Sequence, residues 1–292
     1  MVLLNSGLSS LPLYQFSLAQ APTSFHHKME STLRHFLWQG GKNDKKKYNL
    51  VSWKQVIHSQ EKGGLGIRSP LLTKLAFGGK LIWRVLEEQH AWWKRVIEVK
   101  YLNTPRQQVL VSEIFVRNNT GIWRLCKKAI SFMAQNVSIV PTSGNKVSIA
   151  SDKIMGNKPI SSYTGMEPIM CYFQSRGLYY LNQISHWDAK TQAWIGWSFP
   201  PIPDQLKDSF NNLQNHLHSI APLSKNGADG FRWDPTGSSY TIQAGYNFLC
   251  NRDLPSSPWT YWKATWKAEA IPKVKFFIWT LLKGKILTFE NL

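Results

Sequence analysis

A mixed fold, mainly α-helical with small antiparallel β-hairpins, is predicted by three features of this 292-residue sequence. Apolar residues recur at helical spacing through the first half and again at the end. Between these regions lie short β-prone runs broken by proline and glycine. No run reaches the roughly 18 consecutive apolar residues of a membrane helix, so no membrane span is indicated.

The elements follow in order. Residues 22–38 place Met29, Leu33, Phe36 and Leu37 on one helical stripe, which Gly40-Gly41 ends. A charged turn, KNDKKK, comes next. Ser52 and Gln55 have the spacing of a capping box, predicting a short helix to about His58. EKGGLGI at 61–67 reads as a tight loop of turn glycines. Ser69 as cap and Pro70 as first helical residue open a longer helix. Leu72, Leu75, Ala76, Ile82, Val85 and Leu86 form much of its buried side. The Gly78-Gly79 pair in its middle permits either close helix contact or a bend. Further helices are expected over 91–102 and 122–133.

NVSIV at 136–140 and NKVSIA at 145–150 predict a hairpin with Gly144 in its turn. Residues 163–230 are rich in Pro, Asn, Gln and Ser and read as irregular, ending in a linker at 222–230. FRWDPTGSSYTI at 231–242 predicts two strands around Pro235, Thr236 and Gly237. A helix over 242–250 follows. The terminal helix has Val274, Phe277, Ile278, Leu281 and Leu282 as its expected buried stripe, with Lys273, Lys283, Lys285 and Phe276 opposite and Trp279 at the edge. The chain divides into three blocks, 1–134, 135–228 and 229–292, without internal repeat.

The net charge is +18, from 35 Lys and Arg against 17 Asp and Glu. That excess calls for an anionic partner, RNA or DNA first and an anionic membrane second. A piece separated from an acidic neighbour would carry the same imbalance. The first residues lack a secretory pattern. The three cysteines, Cys126, Cys171 and Cys250, match no metal or disulfide spacing and are expected as buried small hydrophobes. A reducing compartment, cytoplasm or nucleus, fits best.

Catalytic chemistry is not visible. The histidines form no ligand pattern, and GGLGI lacks the Gly-Lys-Ser/Thr ending of a phosphate loop. Asp229 and Asp234 flank a turn, but no acidic pair is arranged to hold two divalent ions. No catalytic residue, metal ligand or cofactor is therefore expected in this chain. The candidate nucleic-acid contacts are Lys42, Lys45, Lys46 and Lys47, then Lys54, and on the terminal helix Lys273, Lys283 and Lys285 with Phe276. The first cluster is either a solvated turn or a phosphate contact. On the terminal helix, Phe276 either stacks a base among the lysines or docks with Trp279 against a following segment.

Several segments together resemble one family. Phe36-Leu37-Trp38, the basic patch at 45–47, Val51-Ser52-Trp53, Gly63-Gly64-Leu65-Gly66-Ile67 and Trp83-Arg84-Val85 occur in the order found after the polymerase core of plant non-LTR (LINE-type) retrotransposon reverse transcriptases. WWKRVIEVKYL at 92–102 is similar to the next family segment. Asp229, Trp233, Gly237, Tyr240, Thr241, Ile242, Ala244 and Tyr246 resemble a later block. Residues 266–292, with Pro272, Lys273, Phe276-Phe277 and Trp279, are similar to the opening of the reverse-transcriptase zinc-binding domain.

The resemblance implies an incomplete, multi-block fragment. Block 1–134 would be a helical post-polymerase connection, 135–228 an irregular, β-containing middle, and 229–292 the start of the zinc-binding-like domain. The family's Cys/His zinc site would lie beyond Leu292 and its polymerase Asp-Asp pair before Met1, so zinc is expected only in the complete parent. Ala150 and Ile154 stand where the family carries tryptophan, so the middle is expected to be loosely packed. The implied function is a non-catalytic piece of a polyprotein that performs RNA-directed DNA polymerisation, retaining weak RNA or DNA binding. Its other partners would be the polymerase and zinc-binding segments of the parent. A co-opted host RNA-binding protein and a structural protein-interaction module are the alternatives.

Overall fold

The computed structural model describes residues 22–40, 48–88, 91–101, 121–145, 147–154, 158–191, 193–252 and 260–286. In chain order the helices are α1 (Thr23–Gln39), α2 (Trp53–Val56), α3 (Pro70–Glu87), α4 (Trp92–Tyr101), α5 (Gly121–Asn136), α6 (Glu167–Ser175), α7 (Lys207–His218), α8 (Ile242–Asn251), α9 (Thr260–Lys267) and α10 (Pro272–Leu282). The strands are β1 (Val137–Val140), β2 (Ser185–Trp187), β3 (Trp194–Trp197) and β4 (Gly230–Trp233). The fold is mainly helical with two small antiparallel sheets, as the sequence predicts. It forms two compact units, residues 1–77 with 242–292, and residues 78–241.

In the first unit, α1 ends at Gly40, whose left-handed backbone (φ 72°) lets its N–H donate to the Phe36 carbonyl. Leu33 and Trp38 are buried, whereas Phe36, expected on the inner stripe, is exposed. Their cluster includes Val51, Val56, Leu65, Ile67 and Trp279. The capping box expected at Ser52 does not form. Ser52 makes no side-chain cap, and its carbonyl instead accepts the Gln55 and Val56 amides in a single helical turn. At α3 the cap is made: Leu72 N–H donates to Ser69 Oγ at 3.4 Å, just before Pro70. Ser69 N–H donates to the Tyr246 hydroxyl at 3.0 Å, joining the start of α3 to α8.

In the second unit, Gly78 and Gly79 serve close approach. A Cβ on Gly78 would lie 3.0 Å from Leu125 and 3.1 Å from Ala129 of α5. One on Gly79 would lie 2.5 Å from the Tyr240 hydroxyl and 2.9 Å from Phe132. Tyr240 is held there by an edge contact with buried Trp233, ring centroids 4.9 Å apart.

The hairpin expected from 136–150 is replaced by a long-range ladder. β1 pairs antiparallel with β4, from Val137 opposite Trp233 to Val140 opposite Gly230. The reason lies in Asp229. Its Oδ1 accepts the N–H groups of Thr142 (2.8 Å), Ser143 (2.9 Å) and Gly144 (2.8 Å), so the intended turn wraps a carboxylate instead of reversing the chain. Ser148 bridges to Tyr180 instead. Of the two strands expected over 231–242 only β4 forms. The Gly237 turn (φ 68°) is present, and past the single bridge of Ser238 to Trp233 the chain leads into the core at Tyr240.

The middle is not loose. Ile169, Met170 and Phe173 of α6 and Leu213 and Leu217 of α7 are buried with Ile154 in one cluster. Tryptophan is not needed at position 154 because isoleucine fills it at 7 % exposure. The linker expected at 222–230 is a loop, but buried Leu223 and the Asp229 bonds anchor it. β2 and β3 form a hairpin within this block. Cys126 and Cys250 are buried as expected, whereas Cys171 is exposed.

Asp229 and Asp234 do not meet as a pair. Asp234 Oδ2 accepts from Lys153 Nζ at 2.7 Å, and Ser138 hydrogen-bonds to its other oxygen. Lys153, 7 % exposed, also donates to the Gln135 carbonyl at 2.6 Å. Asp234→Ala would leave a buried ammonium without its counter-charge and should cost about 3 kcal/mol in urea unfolding. A variant as stable as the parent would contradict that ion pair's role. Gly79→Ala should also destabilise, by about 1–2 kcal/mol, since overpacking against Tyr240 exceeds the helix-propensity gain of alanine. Combining it with Tyr240→Phe, which removes the hydroxyl it meets, should recover part of the loss.

Candidate nucleic-acid interface

The loop after α2 turns on hydrogen bonds that no side chain supplies. Gly64 N–H donates to Ser59 O, Leu65 N–H to Val56 O and Gly66 N–H to His58 O. A Cβ on Gly64 would lie 2.0 Å from the His58 carbonyl oxygen, so only glycine fits. Gly63 has a positive φ of 71°, and a Cβ there would come within 2.7 Å of the Trp262 ring on α9. Its carbonyl accepts the Trp279 indole N–H at 2.9 Å. The glycine motif is therefore a seat for two tryptophans, and its packing role goes beyond the turn read from sequence.

This packing gathers cations. Lys283, one residue past α10, lies with Nζ 4.7 Å from the centroid of the Trp262 ring. Burial lowers its pKa below the ordinary lysine value. Lys62 adjoins Gly63 in the loop, and Lys54 sits on α2. The charges of all three lysines act on His58, which is 4 % exposed. Burial lowers the His58 pKa most, and the positive charges of Lys283, Lys54 and Lys62 lower it further. His58 Nδ1 lies 3.4 Å from Cys250 Sγ. Burial in turn pushes the Cys250 thiol up to about 11. Behind the lysines the interior is therefore neutral: imidazole, thiol and the Tyr246 phenol, itself raised by burial.

Of the residues nominated from sequence, Lys54 and Lys283 come together here. Lys62 was missed, because the EKGG stretch reads as a glycine turn and its lysine carries no pattern of its own. Lys273 and Lys285 are exposed at the two ends of the α10 region. Lys42, Lys45, Lys46 and Lys47 lie outside the described residues. The faces of α10 are reversed from expectation. Trp279 is fully buried, and Phe276 is half-buried between Trp38 and Trp279, at centroid distances of 5.9 and 5.5 Å. Val274, Phe277, Leu281 and Leu282, expected inside, are 45–57 % exposed. Two aromatic rings and an indole N–H with a carbonyl to meet outweigh the aliphatic stripe. The docking expected of Phe276 and Trp279 occurs within the chain, against Trp38 and Gly63, which precede α10 in sequence.

Residues 240–292 match the family described as zinc-binding in reverse transcriptase. The chain is also 24% identical over 303 residues to an Arabidopsis thaliana protein named "Putative ribonuclease H protein". That match covers 100% of this chain and 45% of the relative, so the chain spans less than half the relative's length. No solved structure matches the chain significantly. The two matches bear out the resemblance as a similarity: residues 240–292 to the zinc-binding family of reverse transcriptases, and the chain to a plant protein named as a putative ribonuclease H protein.

The described residues do not fit the zinc that the family description implies. Residues 240–292 hold one cysteine, Cys250, and no histidine. Among the described residues no group of three or more His, Cys, Asp or Glu side chains could hold a metal ion. Cys250 Sγ and His58 Nδ1 lie 3.4 Å apart, and these two groups are fewer than the four ligands of a structural zinc site.

His58 sets a pH dependence. Above pH 6.5 it is neutral both folded and unfolded and adds no slope. Below 6.5 the unfolded chain takes up a proton that native His58 resists, so stability falls as pH drops toward the lowered native value. The melting temperature should therefore fall less steeply between pH 6.5 and 5 in His58→Asn. An identical slope in variant and parent would count against this assignment.

Proposed function

We propose that this chain is a nucleic-acid-binding, non-catalytic portion of a LINE-type reverse transcriptase polyprotein, whose parent carries out RNA-directed DNA polymerisation. The observation that carries it is the cationic setting of the Gly63 seat, with Lys283 Nζ over the Trp262 ring, Lys62 beside Gly63 and Lys54 on the preceding α2, in a chain of net charge +18. Like charges gathered in this way repel one another, and a polyphosphate backbone relieves that repulsion. Lys273 and Lys285 extend the positive field, with the lysines of 42–47 as further contacts. Phosphate contacts of this type position the strand without reading its sequence. The name of the Arabidopsis relative supports an RNA-containing ligand.

The non-catalytic reading draws support from the acids. Asp229 is held by three backbone amides and Asp234 by Lys153, so neither is placed to hold a divalent ion for phosphoryl chemistry. In the parent, blocks 1–134 and 135–228 would form a connection region and block 229–292 part of the zinc-binding-like domain. Such a protein works in the cytoplasm or nucleus. Among the described residues no helix is long and apolar enough to cross a membrane. A co-opted host RNA-binding protein would use the same lysines. The exposed α10 stripe favours a second reading, a protein-interaction module.

The test is a salt titration of binding to a labelled single-stranded RNA. Affinity should fall linearly on a log–log plot, and each of Lys54→Ala, Lys62→Ala and Lys283→Met should reduce the slope by about 0.7. Lys283→Met keeps an apolar stem over Trp262 while removing the charge. Absence of binding at low salt, or a slope unchanged in the triple variant, would overturn the proposal.

A further inference from the structure

The α10 face that points away from Trp279 has the form of a helix-docking seam. Val274, Phe277, Ile278, Leu281 and Leu282 recur at i, i+3, i+4, i+7 and i+8, the spacing that receives a second helix. Val274, Phe277, Leu281 and Leu282 are exposed, as is Ile271 just before the helix, at 68 %. At 100° per residue Lys273 bounds one edge of the seam and Lys275 the other. Lys275 Nζ donates to the Trp266 carbonyl at 3.1 Å, tying that edge of α10 to α9. Lys285 extends the positive charge past the C-terminal end.

Charge chooses among occupants. A nucleic-acid backbone would meet the lysines but could not cover a run of aliphatic and phenyl groups. A second copy of the chain would cover them but would set lysine against lysine in either helix orientation. Parallel pairing places Lys273 and Lys275 against themselves, and antiparallel pairing places them near Lys283 and Lys285. The complementary surface is apolar along its seam and acidic along both edges. We infer that the outer face of α10 docks an amphipathic helix of a partner protein, with Leu- or Phe-type residues in its seam and Asp or Glu beside them. The apolar residues of the seam take no part in the nucleic-acid reading, which shares only the flanking lysines, so the inference rests on the exposed apolar face.

The test uses the full chain and a labelled designed helical peptide with Leu at i, i+3, i+4 and i+7 and Glu on its flanks, followed by fluorescence anisotropy. A control peptide carries Lys in place of every Glu. The Glu peptide should bind saturably and at least 10-fold more tightly than the Lys peptide. Phe277→Ser with Leu281→Ser should weaken it at least 10-fold while leaving single-stranded RNA affinity within twofold. Both substitutions are at exposed positions. Lys273→Glu provides a second variant that leaves the seam intact, and it should narrow the difference between the two peptides. No saturable binding of the Glu peptide, equal binding of both peptides, or affinity unchanged in the double variant would overturn the inference. So would concentration-dependent dimerisation of the parent chain that the double variant abolishes, since the occupant would then be a second copy. Loss of RNA binding in the double variant would overturn the separation of the two surfaces.

Discussion

The contact between Trp279 and Gly63 organises the first unit. An indole with no exposed surface donates its N–H to a carbonyl 216 residues earlier in the chain. Burying so large a side chain is worth several kcal/mol only if its polar N–H finds an acceptor. Gly63 supplies that acceptor while lacking the side chain that would collide with Trp262. Leu33, Trp38, Val51, Val56, Leu65 and Ile67 then close around the same indole. The lysine cluster follows from this packing. Once α10 is seated by Trp279, Lys283 lies over Trp262, and the loop that receives the indole carries Lys62.

The distribution of charge has a common logic in the two units. Asp229 and Asp234 are consumed within the second unit, one by backbone amides and one by a buried lysine. In the first unit the buried polar groups, His58, Cys250 and Tyr246, are held neutral by burial. The Lys153–Asp234 pair cancels within itself, so the basic excess of the chain is carried by its remaining cations.

Much of the helical architecture was legible because it rests on local signals. Gly40 ends α1, and Ser69 with Pro70 starts α3, through bonds that reach only a few residues. The β pairing was not, because β1 finds its partner nearly a hundred residues away, and the decisive group, Asp229, acts on a turn it does not adjoin in sequence. The faces of α10 were misread for a similar reason. Periodicity measures which residues share a side, but which side is buried depended on Gly63 and Trp38, two distant partners. Lys54 and Lys283 were nominated separately, from charge, and the fold brings them together. Lys62 was hidden because a single lysine beside two glycines has no periodic or compositional signature.

The discontinuity of the first unit bears on how the chain is made. Residues 78–241 form one uninterrupted unit, complete before α8 is translated. Residues 22–77 have their hydrophobic surface by then but not the indole that closes it. At about 5–20 residues per second, Leu33, Val51 and Leu65 wait roughly 10–50 s for Trp279 to be synthesised. Joining segments 216 residues apart then costs on the order of 5 kcal/mol in chain entropy, less if the intervening unit has already folded and shortened the loop. The nascent segment thus carries an open apolar surface until α10 is made.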